Sequence, residues 1–319
     1  MEFSPELESV APGVRRLRLP VPFPMRWVNL YLLEDSAGPV LVDAGYPIPE
    51  ARALLWEALH RTGLRPEVLL VTHAHPDHFG LAAELQERFG CPVWMAREEW
   101  VAAQTYQPGM PAWDQLAAEL RAEGMPPERV RATVDSGQRI WAHTPPPSVQ
   151  RFLEPHEELD RGGGWQVLVT PGHAPAHVCL FQPETGTLVA GDHLLPKITP
   201  NIGRWPAGSP DPLDDFLRSL AGLRGLRVRR VLPGHGDPYD GFAERLQELT
   251  DHHRQRLQAV LEAVREAPRT GYEVCVALFG SDLDSHNERF AMVETLSHLT
   301  YLERRGRLRR TEDGRYRAS

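Results

Sequence analysis

Three histidines and an aspartate fall within six consecutive positions of this chain: Thr72 is followed by His73-Ala74-His75-Pro76-Asp77-His78. The cluster comes straight after an apolar run, Val68 to Val71, whose length reads as a buried strand. Beyond it, Leu81, Leu85 and Phe89 recur every four positions, the spacing of a helix face. The histidines therefore belong on a tight strand-to-helix loop at the carboxyl end of a strand, where α/β folds place chemistry. Pro76 fixes one φ angle and so restrains the loop to one conformation. Neutral imidazole and carboxylate suit zinc and similar divalent ions, which makes His73, His75, Asp77 and His78 candidate ligands. One His-x-His would read as a polar surface loop. Four such groups require a fold that brings further ligands to them.

The rest of the chain supplies those ligands in similar settings. Trp165 to Val169 reads as a strand and ends in Thr170-Pro171-Gly172-His173. Thr187 to Ala190 pairs in hairpin fashion with Val178 to Gln182 and ends in Gly191-Asp192-His193, and Val228 to Leu232 ends in Pro233-Gly234-His235-Gly236. Three of these four strand ends carry a glycine, which lets the backbone turn closely. If the four strands share one sheet, their ends lie along one edge and the ligands converge. Five histidines and two carboxylates exceed what a four-coordinate structural zinc takes, and they suit two metals with a bridging carboxylate and positions open to water.

Strands are also expected at Val14 to Leu19, Trp27 to Glu34, Val40 to Val42, Cys91 to Met95 and Arg151 to Leu153, and helices from Pro49 to Arg61 and from Asp211 to Leu223. Three strands before any helix argue against a simple doubly wound sheet. From Arg97 to about Pro147 the texture changes, with helical segments at Pro111 to Ala122 and Pro126 to Ser136 and several Trp and Met residues, ending in Thr144-Pro145-Pro146-Pro147. This stretch reads as an insertion, about 97–150, that serves as a lid or substrate wall or simply packs onto the core. The turn-rich Asp160-Arg161-Gly162-Gly163-Gly164 lacks the Gly-Lys-Ser/Thr of a phosphate loop. Past residue 240 come helices at Phe242 to Val264, Tyr272 to Phe279 and Asn287 to Arg304, then two Arg-rich strands around Thr311-Glu312-Asp313-Gly314, an Asp-Gly hairpin signal. The expected division is therefore a catalytic domain at 1–240 and a winged-helix-like domain at 241–319.

Composition bears on partners and compartment. A net charge of −8 argues against a chain built to coat nucleic acid or an anionic membrane, and no apolar run is long enough to span one. Met1 to Glu8 shows no signal-peptide pattern, and three scattered cysteines read as reduced thiols, so a cytoplasmic location is expected. Lys197 is the only lysine and asparagine is scarce, a thermophile-like composition.

The His-x-His-x-Asp-His loop followed by Thr-Pro-Gly-His, Gly-Asp and Pro-Gly-His-Gly, with Leu41-Val42-Asp43-Ala44-Gly45 before them, resembles the metallo-β-lactamase superfamily. The five motifs stand in that family's order over roughly residues 10–240. The resemblance implies an α/β fold, an αββα sandwich with a dinuclear metal site on one edge. It assigns His73, His75 and His173 to one metal and Asp77, His78 and His235 to the other, with Asp192 bridging and Asp43 in a supporting role. It also implies a hydrolase in which two divalent ions hold a hydroxide between them, with Asp77 as orienter or proton acceptor of that water. Diiron oxygen-reducing members replace the second loop histidine with glutamate, so His75 favours hydrolysis. Zinc is the expected ion, with manganese or iron as the alternatives such ligands accept.

The C-terminal outline resembles the module of a branch that includes β-lactamase-like endoribonucleases. Residues 301–319 hold seven arginines against three acids, yet Asn287 to Arg304 carries acids and few donors suited to base edges. The first expectation is therefore a small acyl substrate, a thioester, ester or lactone, as in the glyoxalase II type, although that family's glutathione-binding basic residues have no evident match. The second is a phosphodiesterase or endoribonuclease using the same metals. Nucleic acid is the less favoured partner, and the C-terminal module is expected to pack on the core, wall the site or make a homodimer. Lys197, Tyr239, Trp27 and Phe79 flank the motifs and are candidate pocket residues or simple packing. His252 and His253 read as packing or surface residues of their helix.

Overall fold

The computed structural model describes residues 3–159 and 161–319; Met1, Glu2 and Asp160, the first residue of the expected 160–164 turn, lie outside the described residues. Two sheets are built from strands whose successive side chains enter different cores. The first sheet has seven strands, in chain order β1 (Glu8–Ala11), β2 (Val14–Pro20), β3 (Trp27–Leu33), β4 (Val40–Val42), β5 (Val68–Leu70), β6 (Val93–Met95) and β7 (Val149–Phe152). The first four are antiparallel and the last four parallel. Parallel neighbours need crossovers. These are α1 (Pro49–Thr62), then α2 (Pro76–Phe79) with α3 (Ala82–Phe89), then α4 (Arg97–Thr105), α5 (Pro111–Ala122) and α6 (Pro127–Trp141). The expected insertion is therefore the β6–β7 crossover itself.

The second sheet holds β8 (Gln166–Val169), β9 (Val178–Gln182), β10 (Thr187–Gly191) and β11 (Arg230–Pro233), ordered β11-β10-β9-β8, with α7 (Pro212–Leu223) crossing between parallel β10 and β11. Period-two alternation distributes the strands among three cores. On β3, Tyr31 and Leu33 enter the core between the sheets, while Leu30 and Leu32 enter the core under α1, α3, α5 and α6. On β9, Val178 and Leu180 join the inter-sheet core, while Cys179 and Phe181 face α7 and α8 (Phe242–Ala263). The result is the four-layer αββα sandwich.

One expectation is corrected here. The four ligand-bearing strand ends do not share a sheet: β5 belongs to the seven-stranded sheet and β8, β10 and β11 to the other. They converge because the sheets pack face to face, which superposes the ends of one on the ends of the other. Three elements went unread in the sequence. β1 is an exposed edge strand, α2 is a single turn that places Asp77 and His78, and α4 is marked by no strong periodicity.

After α8 come α9 (Gly271–Phe279), opened by a Thr270/Glu273 capping box, and α10 (Ser285–Arg304). The hairpin β12 (Leu308–Arg310) and β13 (Tyr316–Ala318) closes the chain, with Arg309 opposite Arg317. α10 packs against α6, α7, α8 and α9, and eleven of its twenty residues are buried. Among the described residues no helix is long and apolar enough to cross a membrane.

Candidate metal centre

Asp43 sets the ligand loop. It sits just past β4 at φ 64°, and its carboxylate accepts from Thr72 N (2.8 Å), Thr72 Oγ1 (2.9 and 3.0 Å) and His78 Nδ1 (2.7 Å). A non-glycine residue keeps that backbone only where surrounding contacts over-determine it. The Thr72 hydroxyl directs its proton to Asp43 and so accepts from His73 Nδ1 at 3.0 Å. His173 Nδ1 donates to Asn201 O (2.8 Å) and His235 Nδ1 to Trp27 O (2.6 Å). Each ring is thereby fixed with Nε2 facing inward, the arrangement by which outer partners orient metal ligands.

The seven expected residues come together. One ligand atom each from His73, His75 and His173 lie within 4.8 Å of one another, as do those of Asp77, His78 and His235. Asp192 stands between the two sets, 3.4 Å from His78 Nε2, 3.7 Å from His173 Nε2 and 3.5 Å from His235 Nε2. His75 turns Nδ1 to 3.0 Å from His73 Nε2. The buried Nε2 atoms of His78, His173 and His235, and Asp192 Oδ1, have no hydrogen-bond partner among the described residues. Buried polar atoms rarely go unpaired, and lone pairs aimed at one another are what a divalent cation satisfies. The donor set fits divalent metal.

Electrostatics divides the cluster. Burial, reinforced by neighbouring imidazoles, holds His73 well below the usual histidine range and His75 at about 3, and burial lowers His173 too. All three are neutral at pH 7, the state in which an imidazole can ligate a metal. At His78 and His235 burial again opposes the charged ring, but Asp192, with Asp43 beside His78 and Asp77 beside His235, outweighs it and raises both. Burial also works against the charge on Asp77, yet His78 and His235 hold it below the ordinary carboxylate range.

Backbone approach is as tight as the side-chain packing. A Cβ on Gly234 would lie 2.3 Å from Asp192 Oδ1 and 2.8 Å from His78 Cε1, so no other residue lets the His235 turn close on the cluster. That turn is tied to β3: Asn29 Nδ2 donates to Pro233 O (2.8 Å) and Gly236 O (2.7 Å), and Tyr31 Oη donates to Pro233 O (2.7 Å). Glu99 on α4 is a second clamp, accepting from Ala74 N (2.8 Å) and Ala176 N (2.6 Å). His177 Nε2 accepts from Asp192 N at 3.1 Å. Sequence reading missed all four. Asn29 carried a signal, a polar residue inside the apolar strand Trp27–Leu33, which has to find partners.

The cluster opens on a cavity of about 300 Å³, with His75, Asp77, His173 and Asp192 on its wall. The remaining wall is mostly apolar: Phe23 and Met25, Tyr106, Trp113 and Trp141 from the crossover helices, Leu195 and Trp205, and Phe290 from α10. None of Lys197, Tyr239, Trp27 and Phe79 lines it. Phe79 is buried against Trp141, Tyr239 Oη donates to Leu194 O, Trp27 offers its carbonyl to His235, and Lys197 is exposed. His253 is buried beside His298 and, like His252, stands apart from the cluster.

An αββα sandwich with a His/Asp cluster at the strand ends is the architecture of a metal-dependent enzyme. Residues 27–235 match the metallo-beta-lactamase superfamily and residues 257–318 the metallo-beta-lactamase-like C-terminal domain. The "Probable metallo-hydrolase YqjP" of Bacillus subtilis (strain 168) is 30% identical over 297 residues, 90% of this chain and 91% of that protein. The "Atrochrysone carboxyl ACP thioesterase" of Aspergillus fumigatus is 23% identical over 83% of this chain and 69% of that one. The metallo-beta-lactamase family protein TTHA1429 from Thermus thermophilus superposes with a TM-score of 0.86 at 35% identity, covering 98% of this chain and 100% of that chain. The chain belongs to the metallo-β-lactamase superfamily and is a metallo-hydrolase.

Proposed function

We propose that this hydrolase holds two divalent ions, zinc by preference, and cleaves a small acyl substrate: a thioester, ester or lactone. His73, His75 and His173 would hold one ion, Asp77, His78 and His235 the other, and Asp192 both. Ions so held would supply an activated water at neutral pH and polarise an acyl oxygen. Asp77 lies on the cavity wall, where it would orient that water and accept its proton. His73, His75 and His173, held neutral by burial, would keep their lone pairs inward.

The observation that carries the substrate class is the cavity. At about 300 Å³ with aromatic walls it suits a small molecule. Single-stranded nucleic acid needs a charged groove with stacking platforms along its length. α10, the helix that would read a groove, is buried among four others. The thioesterase named among the relatives supports the acyl reading.

The test pairs metal counting on wild type and Asp77→Asn with a panel of thioesters, lactones, bis(p-nitrophenyl) phosphate and a short single-stranded RNA. The expected outcome is two metals per wild-type chain, acyl turnover with RNA left intact, and a fall in kcat of about 10²–10⁴ in the variant. Cleavage of RNA or of the phosphodiester with inert acyl substrates would reverse the reading. One metal per fully loaded chain would remove the dinuclear site.

A further inference from the structure

Arg289 lies in the early turns of α10, is 3% exposed, and forms part of the cavity wall. Its Nε and Nη1 are buried with no hydrogen-bond partner among the described residues. The acids nearest in sequence are engaged elsewhere: Glu288 accepts from Arg129 (2.6 Å) and Tyr272 (3.2 Å), and Glu294 from Asn201 (3.0 Å). The guanidinium instead lies over the rings of Phe290 (4.9 Å to the centroid) and Trp205 (6.0 Å), both cavity residues. Burial pulls its pKa down to about 10, and among the described residues no carboxylate pairs with it, so it stays charged at neutral pH.

Two aromatic faces do not compensate a desolvated guanidinium, and a buried charge without a partner is strongly unfavourable. The uncompensated cation sits in the wall of the same cavity that opens on the metal cluster, yet among the described residues neither Asp77 nor Asp192 pairs with it. Its partner therefore arrives with the ligand and docks away from the reacting acyl group. With one unpaired cation among the described residues of a largely apolar chamber, a monoanion balances the charge, whereas a phosphate dianion leaves a surplus. The planar fork of guanidinium donors matches a carboxylate.

We propose that Arg289 is a specificity-determining residue that binds a carboxylate carried by the substrate at a point remote from the acyl group that is cleaved. The proposal rests on the acyl-hydrolase reading and narrows it to acyl compounds bearing a second, ionised end. His286, one turn earlier on the same cavity wall and stacked on Phe23, borders this end of the chamber.

The test uses zinc-loaded full-length protein and two thioesters of N-acetylcysteamine, one glutaryl, with a free carboxylate, and one carrying the matching primary amide. Wild type is expected to favour the carboxylate in kcat/KM by at least about tenfold, mainly through KM, as charge-assisted hydrogen bonds imply. The ratio should collapse toward one in Arg289→Met and recover in part in Arg289→Lys. An activity-free readout accompanies it. The probe 4-carbamoylbutanoate should raise the thermal midpoint of wild type and leave that of Arg289→Met unmoved, with Arg289→Gln as a second variant should Met fail to fold. Equal use of both thioesters by wild type, with no probe-induced shift, overturns the role of Arg289 and leaves the acyl hydrolase standing. Inert thioesters together with RNA cleavage overturn the acyl reading. In that case a shift lost in the variants still upholds the carboxylate site.

Discussion

A single carboxylate holds both sides of the metal cluster. Glu99 Oε2 accepts from Ala74 N, between His73 and His75, while Oε1 accepts from Ala176 N, in the loop that carries His173. The two loops leave strands of different sheets, so α4 pins across the junction that the sandwich creates. Burial pushes this carboxyl up to about 7, and the two backbone N–H groups work against that shift. Glutamine fills the same space but turns an N–H toward one of the two amides, leaving a buried donor facing a donor. Glu99→Gln should therefore weaken metal binding about 10–100-fold while far-UV circular dichroism stays native, read by zinc titration against a competing chelator. Unchanged affinity would show that the loops hold themselves. In the sequence Arg97-Glu98-Glu99-Trp100, nothing marks one glutamate as buried. Its role arises only when two sheets meet over α4. The ligands were legible because glycine, proline and histidine recur together at strand ends; their supports, apart from Asn29, were not.

At the scale of elements, α8 and α10 meet through a buried histidine pair, His253 Nδ1 to His298 Nε2 at 3.2 Å. His298 Nδ1 donates to Glu294 O (2.8 Å), so its Nε2 accepts and His253 donates. A proton on His298 would set two N–H groups against each other. Burial, partly offset by the Glu294 carbonyl, lowers His298 to about 4, and burial with the adjoining His298 lowers His253 as well. An unfolded imidazole takes its proton near 6.5. Between these values the unfolded chain binds more protons, so the contribution is complete above pH 6.5 and is lost as the pH falls toward 4, about 3 kcal/mol for His298. The double variant His253→Leu, His298→Leu should show a flatter fall of thermal midpoint between pH 6.5 and 4.5 than wild type. Parallel profiles would sink the assignment. Helices with a proline start and an apolar stripe, such as α5 and α7, could be read from sequence nearly to the residue. The pairing of α8 with α10 could not, since His252-His253 offers two adjacent rings and only packing selects the one that turns inward.

At the scale of the whole molecule, the apolar core beneath the seven-stranded sheet runs without a break into the C-terminal residues. Trp113, Leu116 and Leu120 of α5 share it with Met292, Val293, Leu296, Leu299 and Leu302 of α10, and with Leu308 and Tyr316 of the hairpin. The change of texture past residue 240 was legible in the sequence. This continuity was not, because an amphipathic stripe says that a face is buried and not against what. We propose that residues 241–319 fold as one unit with the sandwich. Full burial of an aliphatic side chain contributes about 1.5–3 kcal/mol, so the five α10 residues together approach the entire stability of an ordinary domain. The same helix brings Arg289 and Phe290 to the cavity. Calorimetry of the full chain should give one cooperative transition. A chain ended at residue 240 should bind a hydrophobic dye, lose near-ultraviolet dichroism and fail to hold its metals. A soluble truncated chain with native dichroism and full metal content would instead make the C-terminal part a separable domain, and the substrate wall a removable one.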